Sequence, residues 1–155
     1  MSKSITIALV GCSKTKQIVH PGGYAAARDL YTSDLFRKRV DHVESRGLPW
    51  YVVSAKSGLL KPTTLLRMYD KTMADLTEIE RAEWHIGVAN QLLTELFYEF
   101  AEPKLSTLTV ELHAGAKYCE PLGAILELIG VKVITPVAGM EIGQQLAYYK
   151  SLLVS

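Results

Sequence analysis

The hydrophobic positions of this chain fall into four short strand-like runs, separated by longer stretches with helical spacing. Ile5 to Val10 is apolar or β-branched with no alternation, as a strand covered on both faces requires, and Trp50 to Ser54, Leu108 to Leu112 and Val131 to Thr135 read as three further strands. Between the first two, Phe36, Val40 and Val43 recur at i, i+4 and i+7. They follow Ser33, a good N-cap with Asp34 in the first turn, and Gly47 stops the helix. Thr77 with Glu80 is a capping-box pair, and Ile86, Ala89, Leu93, Leu96 and Phe100 then mark one face of a helix of roughly six turns. Gly87 inside it costs about 1 kcal/mol relative to Ala, which predicts packing or a close approach at that point. Pro121 suits the first turn of the next helix, whose Leu122, Ile125, Leu126 and Ile129 face the sheet before Gly130 caps it. A last helix runs from about Ile142 through Tyr149. From Leu59 to Asp75 no clean period appears, and an ordered excursion is expected there.

The order is β-α-β-α-β-α-β-α. With right-handed crossovers it predicts one α/β domain over residues 1–155: a three-layer, Rossmann-like fold whose parallel sheet of about four strands carries helices on both faces. All four strand ends then emerge on one side, which brings the loops at 11–16, 54–62, 113–121 and 136–144 together.

Composition narrows the class. A hydrophobic content of 48% and a charged content of 21% exclude a disordered chain, and no apolar run approaches the ~18 to 20 residues that span a bilayer. The six-residue run behind MSKS is too short for a signal-peptide core, so the expectation is a cytoplasmic protein with no membrane partner. Cys12 and Cys119 make neither a disulfide framework nor a C-x-x-C pair, and both are expected to be free thiols. With 17 basic and 16 acidic residues, no overall field drives the protein onto a polyanion, so any nucleic-acid contact is local. Lys14, Lys16, Arg28, Lys56, Lys61 and Arg67 concentrate basic charge in the first half. Arg37, Lys38 and Arg39 read as a solvated helix face. His20, His42 and His85 are far apart in sequence, so neither a metal nor a cofactor is expected.

The candidate chemistry sits at the strand ends. Gly11, Cys12, Ser13 and Lys14 supply turn amides, a thiol, a hydroxyl and an ammonium, all donors to an anion, although the glycines of a P-loop or a G-x-G-x-x-G loop are missing. Ser54, Ala55, Lys56, Ser57 and Gly58 repeat that chemistry after the second strand, and two such loops side by side point to one shared phosphate-like ligand. Tyr69 is suited to stacking on a flat ring, and Asp70 to orienting water. Gly115 permits close backbone approach beside Tyr118, and His113 there is either a base contact or a structural histidine. Gly139 and Gln144 lie at an amide-rich helix start, where Gln144 either reads a base edge or is an ordinary surface residue.

The strings V-G-C-S-K-T-K, A-x-D-L-Y-T-S-D-L-F at 27–36, S-A-K-S-G-L-L-K-P at 54–62, Tyr69-Asp70, A-G-x-x-Y-x-x-P-L at 114–122 and G-M-x-I-G-Q-Q-L at 139–146 span nearly the whole chain. Together they resemble a small bacterial and phage family recorded only as a domain of unknown function. The Cys-Ser-Lys opener is more distantly similar to the uracil-DNA-glycosylase-like domain attached to archaeosine synthases and related deazaguanine-modifying enzymes. That resemblance implies chemistry at a base–sugar bond. The leading expectation is an enzyme that cleaves or exchanges such a bond in a nucleotide or in modified DNA, with DNA favoured over RNA. Asp70 and Lys56 are its candidate catalytic residues, Ser13 and Lys14 with Lys56 hold phosphate, and Tyr69 or Tyr118 stacks the base. The alternatives are a non-catalytic nucleotide or modified-base sensor, and a thiol-dependent enzyme using Cys12.

Overall fold

The computed structural model describes residues 4–12, 23–67, 72–101 and 103–153. In chain order its elements are β1 (Ile5–Gly11), β2 (Ala25–Ala26), α1 (Ala27–Leu30), α2 (Asp34–Ser45), β3 (Trp50–Ser54), β4 (Gly58–Leu60), β5 (Leu65–Leu66), α3 (Glu78–Glu99), β6 (Leu108–His113), α4 (Ala116–Leu128), β7 (Lys132–Ile134) and α5 (Ile142–Leu153). The central sheet has the order β4-β3-β1-β6-β7, and β2 pairs with β5 in a separate two-stranded ribbon. The four expected strands are all present and mutually parallel. The sheet is nevertheless mixed rather than purely parallel, because a fifth strand, β4, runs antiparallel to β3. Ser54 pairs with Gly58 across a three-residue turn, and Gly58 adopts φ +70, a conformation that glycine reaches without strain. The loop expected at the end of β3 is therefore a tight hairpin.

Both faces of the sheet are buried. Ile7, Leu9, Tyr51, Val53, Val110 and Leu112 pack against Leu92 and Leu96 of α3 and Leu122 and Leu126 of α4. Ala8, Val10, Trp50 and Val52 on the opposite face meet Phe36, Val40 and Val43 of α2. Each such side chain contributes roughly 1.5–3 kcal/mol when fully buried. From β1 the chain crosses to β3 on one side and, later, to β6 on the other. The gap between the ends of β1 and β6 is thus the point where strand order reverses, the place at which α/β sheets bind ligands.

The helix starts follow the sequence closely. Ser33 Oγ accepts from the Phe36 amide at 3.2 Å, and Thr77 and Glu80 cap each other reciprocally at 2.9 and 3.1 Å. The buried face of α3 is rotated from the expected one: His85, Val88, Ala89, Leu92 and Leu96 point inward, while Ile86 is exposed. Gly87 consequently needs neither packing nor a close approach, since a Cβ there would meet nothing within 4 Å. Gly87→Ala is expected to raise the unfolding free energy by about 0.5–1 kcal/mol, read by urea denaturation. A lowered midpoint would mean that the glycine answers some other need.

α4 begins at Ala116, so Pro121 lies inside the helix rather than in its first turn. Its missing N–H leaves the Lys117 carbonyl without a helical donor. The His85 ring of α3 supplies the replacement, donating to Lys117 O, and this stitches α3 to α4. Among the described residues, no helix is long and apolar enough to cross a membrane.

Candidate functional site

The ends of β1, β3 and β6 meet at one edge. Cys12 follows β1 and donates its amide to Val53 O, while its Sγ lies 3.4 Å from the hydroxyl of Tyr118 in the first turns of α4. The Tyr118 ring stands edge-on to Trp84 at 5.3 Å between centroids, and Trp84 Nε1 donates to Ser54 O at 2.8 Å. Burial, followed by the nearby Cys12, holds the Tyr118 phenol well above its ordinary range. Gly11 makes the β1–β6 contact possible, because a Cβ on it would sit 2.6 Å from Ala114 Cβ. Gly11→Ala is therefore expected to cost about 1–3 kcal/mol, with Ala114→Gly recovering part of the loss in the double variant. Strictly additive losses in urea denaturation would contradict that contact.

Beneath this edge runs a buried polar chain. By register Glu111 and His113 of β6 stand beside Ala8 and Val10 of β1, and they occupy the same sheet face. Arg46 holds both Glu111 oxygens, at 2.6 and 2.8 Å, and His113 Nε2 lies 3.0 Å from Glu111 Oε1. A carboxylate only accepts, so Nε2 carries the ring hydrogen; Nδ1 then accepts, at 2.7 Å, from the Tyr149 hydroxyl of α5. Tyr149 in turn accepts from Arg39, whose Nη2 donates to Gln145 Oε1 at 2.7 Å. Gln145 Nε2 donates to Met140 O at 3.1 Å. The bonds from His113 and Arg46 hold the Glu111 carboxyl down to about 2. Burial, followed by the nearby Arg46 charge, lowers the basicity of His42.

The two arginines at the ends of this chain differ. Arg46 is ion-paired, whereas Arg39 is only 6% exposed, its Nε has no partner, and no carboxylate neutralises it among the described residues. Burial pulls the Arg39 pKa down, yet a guanidinium stays protonated in proteins. Its Nη1 lies 3.7 Å from the point where a Gly11 side chain would begin, under the β1–β6 gap. Buried charges are normally paired, and Arg39 lies at the strand-end edge with no carboxylate against it among the described residues. Beside it, a cavity of about 370 Å³ opens between α4, β7 and α5, lined by Ala114, Cys119, Gly139, Met140 and Gln145 among others.

The structure brings Cys12, Ser54, Gly115 and Tyr118 to one edge. Ser13, Lys14, Tyr69 and Asp70 lie outside the described residues. Lys56 sits exposed at the tip of the β3–β4 hairpin. Ser54 is buried, with its Oγ accepting from the Ser57 amide at 3.3 Å, so it shapes the hairpin. Gly115 is the N-cap of α4, with no side-chain cap. Gly139 takes φ +76 in the turn that borders the cavity. Gln144 is exposed, and its Oε1 accepts from the Glu141 amide at 2.8 Å at the start of α5. The glutamine beside Arg39 is its neighbour, Gln145. His113 is fully buried in the polar chain, with both ring nitrogens bonded to Tyr149 and Glu111. Both cysteines are free.

Two further readings are corrected. Arg39 is buried, not solvated, because it shares the sheet-facing side of α2 with Phe36 and Val43. His42 and His113, far apart in sequence, come within 5.5 Å between ring centroids, and their ligand atoms lie within 4.8 Å of one another and of Glu111. Two imidazoles and a carboxylate are able to hold a divalent cation. As the side chains stand, the Arg46 guanidinium already satisfies that carboxylate.

Residues 7–151 match a family of unknown function, DUF6884. No curated protein and no solved structure matches the chain, so the glycosylase-like similarity gains no support.

Proposed function

The chain belongs to DUF6884, a family of unknown function, so its chemistry has to be read from its own side chains, and we propose that it is a nucleotide- or nucleobase-directed enzyme that cleaves or exchanges a base–sugar bond. The observation that carries this reading is Arg39: a buried guanidinium without a counter-charge among the described residues, beneath the edge where the strand order reverses. A phosphate there would supply the missing negative charge. The backbone amides at the start of α4 behind Gly115 add partial positive charge, and Lys56 lies on the neighbouring hairpin. We read the sheet as Rossmann-like with one antiparallel edge strand. Asp70, from the sequence alone, is assigned the orientation of water against the sugar carbon, and Tyr118 a contact with the sugar or base.

The test pairs binding with base release. Nucleoside monophosphates and short DNA duplexes, with and without modified bases, are titrated against the protein and then assayed for freed base. Arg39-dependent binding with release that is lost in Asp70→Asn supports the enzyme. Binding without release, unchanged in Asp70→Asn, makes the protein a sensor instead. No binding of any phosphate-bearing probe overturns both.

A further inference from the structure

We propose that His42, Glu111 and His113 form a binding site for a first-row divalent transition-metal cation, with the Arg46 guanidinium as the cation it exchanges for the metal. This goes beyond the nucleotide reading and does not depend on it. Each element contributes through its own period. Glu111 and His113 are two residues apart on β6 and share a sheet face, while His42 and Arg46 are four apart at the end of α2 and share a helix face. The two faces meet: the His42 and His113 rings are 5.5 Å apart, and one ligand atom from each of the three residues lies within 4.8 Å of the others. All three side chains belong to buried residues.

Two imidazoles and a carboxylate suit zinc or iron(II) better than magnesium, and they leave coordination positions open. Bonds of about 2.0–2.1 Å to zinc put neighbouring ligand atoms roughly 3.3 Å apart. His113 Nε2 and Glu111 Oε1 are already 3.0 Å apart, so the closing movement falls to the His42 ring. A metal-bound histidine anchors its other nitrogen, and His113 Nδ1 lies 2.7 Å from the Tyr149 hydroxyl. On coordination the single ring hydrogen of His113 sits on Nδ1 instead of Nε2, and the hydroxyl, which serves in either role, accepts it. A positive group already occupies the ligand cluster. Arg46 Nη1 lies 2.6 Å from Glu111 Oε1 and 3.5 Å from His42 Nε2, between two of the three ligands. The Arg46 side chain is 41% exposed against 7% for Glu111, so it has a route into water as a metal enters. Guanidinium and metal thus compete for the same lone pairs, and Arg46 sets the affinity.

Protein stripped with a chelator is titrated with Co²⁺, with Zn²⁺ and Mg²⁺ as competitors. The wild type is expected to take up one equivalent of Co²⁺ with visible ligand-field absorption and no thiolate charge-transfer band, displaced by Zn²⁺ and not by Mg²⁺. His42→Phe, which keeps a ring in place, should weaken Co²⁺ binding by about tenfold or more. Arg46→Gln, which leaves Glu111 a hydrogen-bond donor but removes the competing charge, should tighten it by about tenfold or more. Should His42→Phe fail to fold, Arg46→Gln carries the test alone. Four results overturn the inference: no uptake by the wild type, a thiolate band that puts the cobalt on Cys12 or Cys119, uptake unchanged in folded His42→Phe, or binding no tighter in Arg46→Gln.

Discussion

Arg39→Met is expected to weaken the binding of a nucleoside monophosphate at least tenfold while leaving the unfolding free energy within about 1 kcal/mol of wild type. The two effects separate because Arg39 is poorly placed for stability. Its burial desolvates a charge that no carboxylate offsets among the described residues, and methionine of similar length removes that cost. Against this stand the lost hydrogen bonds to Gln145 and Tyr149, each about 1 kcal/mol net. A phosphate held by the guanidinium gains a charge-assisted bond of about 1.5–3 kcal/mol, which is where the tenfold or greater loss comes from. Calorimetric titration and urea denaturation on the same two proteins read both numbers. A variant that loses roughly 3 kcal/mol of stability yet binds normally would make Arg39 a framework residue.

Glu111→Gln should cost about 3 kcal/mol near neutral pH, with the deficit disappearing in acid. The carboxylate is buried and serves three donors, two from Arg46 and one from His113. Its pKa falls from 4.5 to about 2 on folding. A group depressed in the folded state contributes stability above its unfolded pKa and loses it as pH falls through the folded one. The wild-type advantage is therefore full above about pH 5, declines between about 4.5 and 2, and is gone below. Denaturation midpoints from pH 2 to 7 for both proteins give the test. A gap that stays constant across this range would show that the loss reflects packing and not the charge.

The parts of the fold written in local pattern were legible. Four strands, the Ser33 cap and the Thr77–Glu80 box depend on neighbours within a few residues, and all stand where the sequence puts them, although the fourth strand, β7, lies at the exposed margin of the sheet and is not buried. β4 was not legible, because three residues, Gly58–Leu60, carry no period. The start of α4 was missed because Gly115 has no side chain with which to announce a cap, while Pro121 resembles a helix opener. Of the site, Cys12, Ser54, Gly115 and Tyr118 follow from the rule that strand ends converge. Arg39 did not stand out because the run Arg37-Lys38-Arg39 looks uniformly solvated. Its signal lies in spacing: Arg39, His42 and Arg46 recur at i, i+3 and i+7 beside the apolar stripe of α2, and Glu111 and His113 alternate along β6. Two polar series with the periods of the elements that carry them mark a hydrophilic seam inside a core.

The outermost strands of the sheet, β4 and β7, have three residues each. Along β4, Gln91 Oε1 accepts from the Leu59 amide at 3.0 Å, and β7 opens with the exposed Lys132. Short margins of this kind give a foreign strand little to latch onto, so cross-β stacking of one molecule upon another is disfavoured at both borders.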